Sequence, residues 1–197
     1  MATHTIVTIV GSLRKESFSL KVANALAKLA PASLKLEVMT PEGISFFSQD
    51  LEAAPPADWL AFREKLQKSN GVLFVTPEYN RSIPGILKNA IDWPSRPFGE
   101  SVWTDKPGAI AGATGGVSGT AAAQVHLRSI LPVVGVALMG RPEIYFQSRP
   151  GAIDDELNFT DERVKTNLNI WVDQFVQWIG RFASPRVVEV EVERKTA

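Results

Sequence analysis

Five short β-prone runs, each followed by a stretch with helical spacing, recur along this 197-residue chain. Thr5 to Val10 is β-branched and stops at Gly11, as a strand should. Leu20, Val22, Ala23, Leu26 and Leu29 then fall at helical spacing within 19–30, which Pro31 closes. Leu34 to Val38 alternates as a half-buried strand, and after the break at Ala54-Pro55-Pro56, Trp59, Phe62 and Leu66 mark a helical face. Gly71 to Val75 is apolar throughout, which fits a strand covered on both faces. Pro84 opens a helix leading to Leu87 and Trp93, its ring being suited to the first helical position. Gly108 to Gly112 reads as a fourth strand, 120–131 as its helix and Val133 to Met139 as a fifth strand. Thr160 is placed to cap a last helix whose first turn holds Asp161 and Glu162, where the helix dipole favours acids. Along it Val164, Leu168, Trp171, Phe175, Trp178 and Phe182 recur every three or four residues.

Strands alternating with helices make an α/β protein with a parallel sheet and helices on both faces. In such sheets ligands bind beyond the carboxyl ends of the strands, near the switch in strand order. The loops after Val10, Val75 and Gly112 are therefore the places to search. One domain is expected over 1–185, with a C-terminal extension over 186–197 whose stretch from Val187 to Val192 mixes Val and Glu. Lys plus Arg and Asp plus Glu are both 21, so there is no basic footprint for nucleic acid. No run is apolar enough for a signal peptide or a membrane span, and a cytoplasmic address is expected. The chain has no cysteine, which excludes disulfides, thiol catalysis and Cys-based metal centres. His4 and His126 are the only histidines, and no metal site is expected.

The loop after the first strand, Gly11-Ser12-Leu13-Arg14-Lys15-Glu16-Ser17-Phe18-Ser19, offers hydroxyls, a guanidinium and free amides where a helix begins. That is a means of holding a phosphate. Its spacing matches neither the P-loop nor the dinucleotide fingerprint, so a terminal monophosphate fits better than a triphosphate or a pyrophosphate. The same residues also suit a plain turn, with Ser17 capping the helix and Arg14 in solvent. Thr76-Pro77-Glu78-Tyr79-Asn80 after the third strand could pack along the edge of a flat ring, or be an ordinary turn. Thr114, Gly115 and Gly116 after the fourth strand would let backbone approach a ligand closely.

Taken together, Gly11-Ser12-Leu13-Arg14-Lys15-x-Ser17-Phe18 and the run from Thr76-Pro77-Glu78-Tyr79-Asn80 through Ser82-Ile83-Pro84-Gly85 to Leu87-Lys88-Asn89-Ala90-Ile91-Asp92-Trp93 resemble the NADPH-dependent FMN reductases. The bacterial quinone and chromate reductases are the nearest branch, and Gln124-x-His126-Leu127-Arg128 adds to the likeness. The resemblance covers residues from about 5 to 180. It implies a flavodoxin-like three-layer sandwich with a five-stranded parallel sheet in the order 2-1-3-4-5. It also implies bound FMN, with NADPH or NADH as co-substrate and a quinone or similar small electrophile as acceptor. Ser12, Arg14, Ser17 and Ser19 would hold the phosphate, with Phe18 supporting the loop. Pro77, Glu78, Tyr79 and Asn80 would line the isoalloxazine and ribityl chain, and Thr114, Gly115 and Gly116 would close the far side. A homodimer or homotetramer is implied; Trp59 and Trp93 could be core or subunit interface, and Trp93 at an interface would add apolar surface. Arg81, Ala122 and Val125 stand where the chromate-reductase branch carries Tyr, Arg and Tyr, so tetramer geometry and acceptor preference do not carry over.

No side chain is expected to be catalytic, because hydride passes directly between nicotinamide and flavin. His126 on a helix is read as packing or hydrogen bonding, Asp154-Asp155-Glu156 as a solvated loop, and Trp171 and Trp178 as core. Trp103 could border the cofactor cleft of a neighbouring subunit. The alternatives are a flavodoxin-like electron carrier, against which zero net charge argues, and a non-catalytic flavin-binding regulatory module.

Overall fold

The computed structural model describes residues 3–182. Its parallel sheet is built from β1 (His4–Val10), β2 (Leu34–Met39), β3 (Gly71–Thr76), β4 (Pro107–Thr114), β5 (Ala137–Leu138) and β6 (Ile144–Gln147). The strand order is β2-β1-β3-β4-β5, with β6 also paired to β4. The expected order 2-1-3-4-5 is therefore present. Both neighbours of β1 run parallel to it, with Ile6 opposite Leu36 on one side and Gly71 on the other. The switch in strand order thus lies between β1 and β3, and the amide of Gly11 bonds the Val75 carbonyl at 2.9 Å. The loops leaving these two strands start side by side.

Alternate side chains of each strand supply two cores. Ile6, Val10, Leu73, Val75, Ala109, Ala111 and Ala113 face α1 (Phe18–Leu29) and α5 (Glu162–Gly180). Val7, Ile9, Val72, Phe74 and Ile110 face α2 (Ala57–Lys68), α3 (Gly85–Asp92) and α4 (Ala121–Ile130). On that second face β4 contributes Gly108 and Gly112 beside Ile110, which lets α4 lie close to the strand. At the opposite end of the sheet, Lys106 donates to the carbonyls of Leu66 and Ser69 at 2.7 and 2.9 Å. It thereby caps α2, and burial pushes its ammonium group down to about 8.

Several expectations are corrected. The fifth strand does not run from Val133 to Met139: only Ala137 and Leu138 pair with β4. Residues 131–135 form a turn instead, in which Val133 and Gly135 donate to Ile130 and Pro132 carbonyls and Gly135 takes φ +102°. Ile144 to Gln147 then continues that edge of β4 opposite Ala111 to Thr114. A strand this short between Pro142 and Pro150 offers little periodicity to read. The cap of α5 is Asp161, which accepts from Arg163 and Val164 at 2.8 and 3.1 Å, while the Thr160 hydroxyl donates to Gly151. Trp93 and Trp103 are both fully buried. Their indole N–H groups donate to Ser45 and Ile91 carbonyls, so neither contributes surface to a neighbour. The expected boundary at 185 and the Val/Glu tail lie outside the described residues.

Candidate functional site

Ser17 is both the helix cap and a wall of the site. Its hydroxyl accepts from the Leu20 amide at 3.2 Å, so the first turn of α1 is fixed, and as the acceptor it keeps its own O–H free to donate elsewhere. The plain-turn and phosphate-holding readings of Ser17 are thus compatible in one side chain. Ser12, Ser17 and Ser19 are all buried, an unusual concentration of hydroxyls at a helix start. The Arg14 amide reaches the Ser12 hydroxyl at 3.4 Å. The Arg14 guanidinium lies over the Phe18 ring at 4.8 Å and donates to the Glu16 carbonyl.

A pocket of about 200 Å³ opens here, lined by Ser12, Arg14, Ser17, Phe18 and Ser19, by Pro77, Glu78 and Tyr79, and by Ala113, Thr114 and Gly115. Three loops that are far apart in sequence meet because β1, β3 and β4 are adjacent and parallel. Every residue expected at the site lies on this pocket except Asn80 and Gly116. Asn80 and Arg81 form the exposed tip of a tight turn, at φ 51° and 66°, closed by reciprocal bonds between Tyr79 and Ser82 of 3.0 Å. Gly116 is exposed one residue past Gly115, its amide bonded to the Thr114 hydroxyl. Ala113 was not expected; as a buried strand residue its only sequence signal is its place one position before Thr114. The pocket is smaller than the roughly 300–1,000 Å³ of sites that enclose a drug-sized ligand. It suits a phosphate and its chain, with any attached ring lying in the slot between the Pro77–Tyr79 and Thr114–Gly115 loops.

His126 is exposed and lies outside the pocket lining; its Nδ1 lies 2.6 Å from the Ser82 hydroxyl. The Glu78 carboxylate is turned onto α4, accepting from the Ala122 and Ala123 amides. Among the described residues there is no cluster of three potential metal ligands and no helix long and apolar enough to cross a membrane.

A 2-1-3-4-5 parallel sheet with its pocket at the β1–β3 switch defines a flavodoxin-like α/β protein. The chain shares this fold with a flavodoxin, WrbA-like protein from Agrobacterium tumefaciens at 15 % identity and TM-score 0.55, over 92 % of this chain and 99 % of that one. More specifically, it belongs to the NADPH-dependent FMN reductase family, whose sequence model matches residues 4–150. It is 42 % identical over 174 residues to a 2-hydroxy-1,4-benzoquinone reductase of Burkholderia sp, spanning 88 % of this chain and 95 % of the relative. It is also similar to FerB, a flavoenzyme NAD(P)H:(acceptor) oxidoreductase from Paracoccus denitrificans. That match has TM-score 0.88 and 39 % identity, over 91 % of this chain and 99 % of that one.

Proposed function

We propose that this protein is an FMN-dependent NAD(P)H oxidoreductase that reduces quinones or similar small electrophiles by two electrons. The observation that carries the reading is the buried cradle of Ser12, Ser17 and Ser19 at the N-terminus of α1. Hydroxyl donors and helix amides in a pocket too small for a whole dinucleotide match a terminal phosphate. Arg14 adds the cationic arm. Pro77, Glu78 and Tyr79 form one wall for the ring, Thr114 and Gly115 the other, and Asn80 and Gly116 stand at the rim. At Gly115 a Cβ would come within 3.3 Å of the Phe18 ring, so glycine leaves the slot open there. When bound, FMN supplies the group that takes hydride from the nicotinamide and passes two electrons on. The chain's own task is to hold the phosphate, fix the two walls and keep the ring's exposed face free for each substrate in turn. The quinone acceptor is favoured by the benzoquinone-reducing relative.

One shared face for donor and acceptor should give ping-pong kinetics. Steady-state measurement of NAD(P)H oxidation against a benzoquinone should yield parallel double-reciprocal lines; intersecting lines would exclude the scheme. Because the His126 ring meets the Ser82 hydroxyl and lies outside the pocket lining, His126→Ala should lower kcat less than about tenfold. A general base would contribute about 10²–10⁴-fold, and a loss of that size with FMN retained would reinstate the histidine.

We further propose a homodimer or homotetramer. Trp93 is core, but Val117 and Val125 expose 93 % and 66 % of their surface beside the slot. Apolar residues at the start of α4 favour a two-fold contact there, the commonest form of assembly. Sedimentation at micromolar concentration should give at least a dimer, and a fully active monomer would overturn this.

A further inference from the structure

We infer that Glu78 is a positioning residue whose carboxylate staples the two walls of the flavin slot together; this rests on the site reading above. Helix α4 starts without a cap of its own. Its N-cap Thr120 has left-handed backbone (φ 71°), makes no side-chain cap bond, and has its hydroxyl engaged by the Gln124 amide at 3.2 Å. First-turn amides left this way need an acceptor from elsewhere. Glu78 supplies it from the opposite wall: its Oε2 accepts from Ala122 at 3.0 Å and Ala123 at 3.2 Å.

The consequence is geometric. Glu78 stands between Pro77 and Tyr79, which line one side of the pocket, while the Thr114–Gly116 loop on the other leads through residues 117–120 into α4. One turn further along α4, His126 meets Ser82 at the far end of the Tyr79–Ser82 turn. The wall after β3 is therefore held against α4 at both ends, and the charged contact is the one nearer the ring. The distance between the walls, and hence the fit to a flat ring, depends on that carboxylate. With FMN held as read above, its negative charge would stand near the ring and would disfavour added negative charge there.

Two variants test this. In the apoprotein, Glu78→Ala should speed hydrogen exchange of the Ala122 and Ala123 amides by about tenfold, as loss of a helix cap does. The same variant should weaken FMN binding by about tenfold, since it removes charge-assisted bonds. Glu78→Gln keeps the length and one acceptor oxygen, so it should restore most of the FMN affinity. It should also raise the flavin midpoint potential, a tenfold gain in the preference for reduced over oxidised FMN being about 30 mV for a two-electron couple. Unchanged amide exchange in Glu78→Ala would overturn the staple itself. Faster exchange with FMN affinity and potential both unchanged would show that FMN lies elsewhere, and would overturn the site reading instead. If Glu78→Ala does not fold, Glu78→Gln decides through the same amides: a neutral acceptor holds them less firmly, so exchange at Ala122 and Ala123 should still quicken by about threefold, and unchanged exchange sinks the proposal.

Discussion

Riboflavin should bind this protein more weakly than FMN by a factor on the order of 10³ at the least, because three charge-assisted bonds to phosphate at about 1.5–3 kcal/mol each are lost with that group. The donors available are the buried hydroxyls of Ser12, Ser17 and Ser19 and the first amides of α1. Arg14 is exposed and rests on Phe18 and the Glu16 carbonyl, so it needs only a small rotation to reach an anion at the cradle's mouth. Arg14→Ala should therefore cost about tenfold in FMN affinity, one bond rather than the whole set. The fold should be unaffected, since no buried atom depends on that guanidinium. Calorimetry of the apoprotein with both ligands separates the two effects. Equal affinities for riboflavin and FMN would remove the phosphate from this pocket altogether.

Gly112→Ala should lower the unfolding temperature of the apoprotein by about 2–12 °C, from about 1–3 kcal/mol of overpacking at about 2–4 °C per kcal/mol for a chain of this size. A Cβ there would overlap the Thr120 hydroxyl and lie 2.5 Å from Gln124 Nε2 and 2.9 Å from Thr120 Cβ. Gln124 has little room to retreat, because its amide also bonds the Ile144 carbonyl at 2.6 Å and ties α4 to β6. The strain would be relieved by lifting the start of α4, which carries one wall of the slot, so FMN affinity should fall as well. Gly116→Ala is the control: the nearest atom to a Cβ there is the Thr114 hydroxyl at 3.7 Å, and the unfolding temperature should hold. Equal melting of wild type and Gly112→Ala would show that Thr120 and Gln124 yield freely.

The candidate site was largely legible, in that the expected loops do meet at one pocket, because it is made of loops whose place is dictated by strands. Once β1, β3 and β4 were read as parallel strands, the residues following each had to lie at one edge of the sheet. Ser17 showed why a local reading could go no further: capping and ligand binding ask for the same residue type at the same position. Glu78 shows the opposite limit. A carboxylate in a Pro-Glu-Tyr-Asn run reads either as part of an ordinary turn or as a wall for a flat ring, and nothing local reveals that it serves the amides of a helix 44 residues away. Trp93 and Trp103 could not be settled locally either: large rings after a helix could face a neighbour or the core, and buried carbonyl acceptors at Ser45 and Ile91 decided for the core.

By itself, the sequence determined the α/β class, the first four strands with the helices that follow them, and the edge of the sheet where the candidate site lies. These follow from periodicity and chain punctuation, which act over a few residues. Only the tertiary structure decided that the sheet's fifth position is filled by β5 and β6 in turn, that α4 borrows its cap from the β3–α3 loop, and which tryptophans are enclosed. Each of these depends on which distant groups arrive at hydrogen-bonding distance. That is set by the packing of the whole sheet and its two helix layers, and no window of sequence contains it.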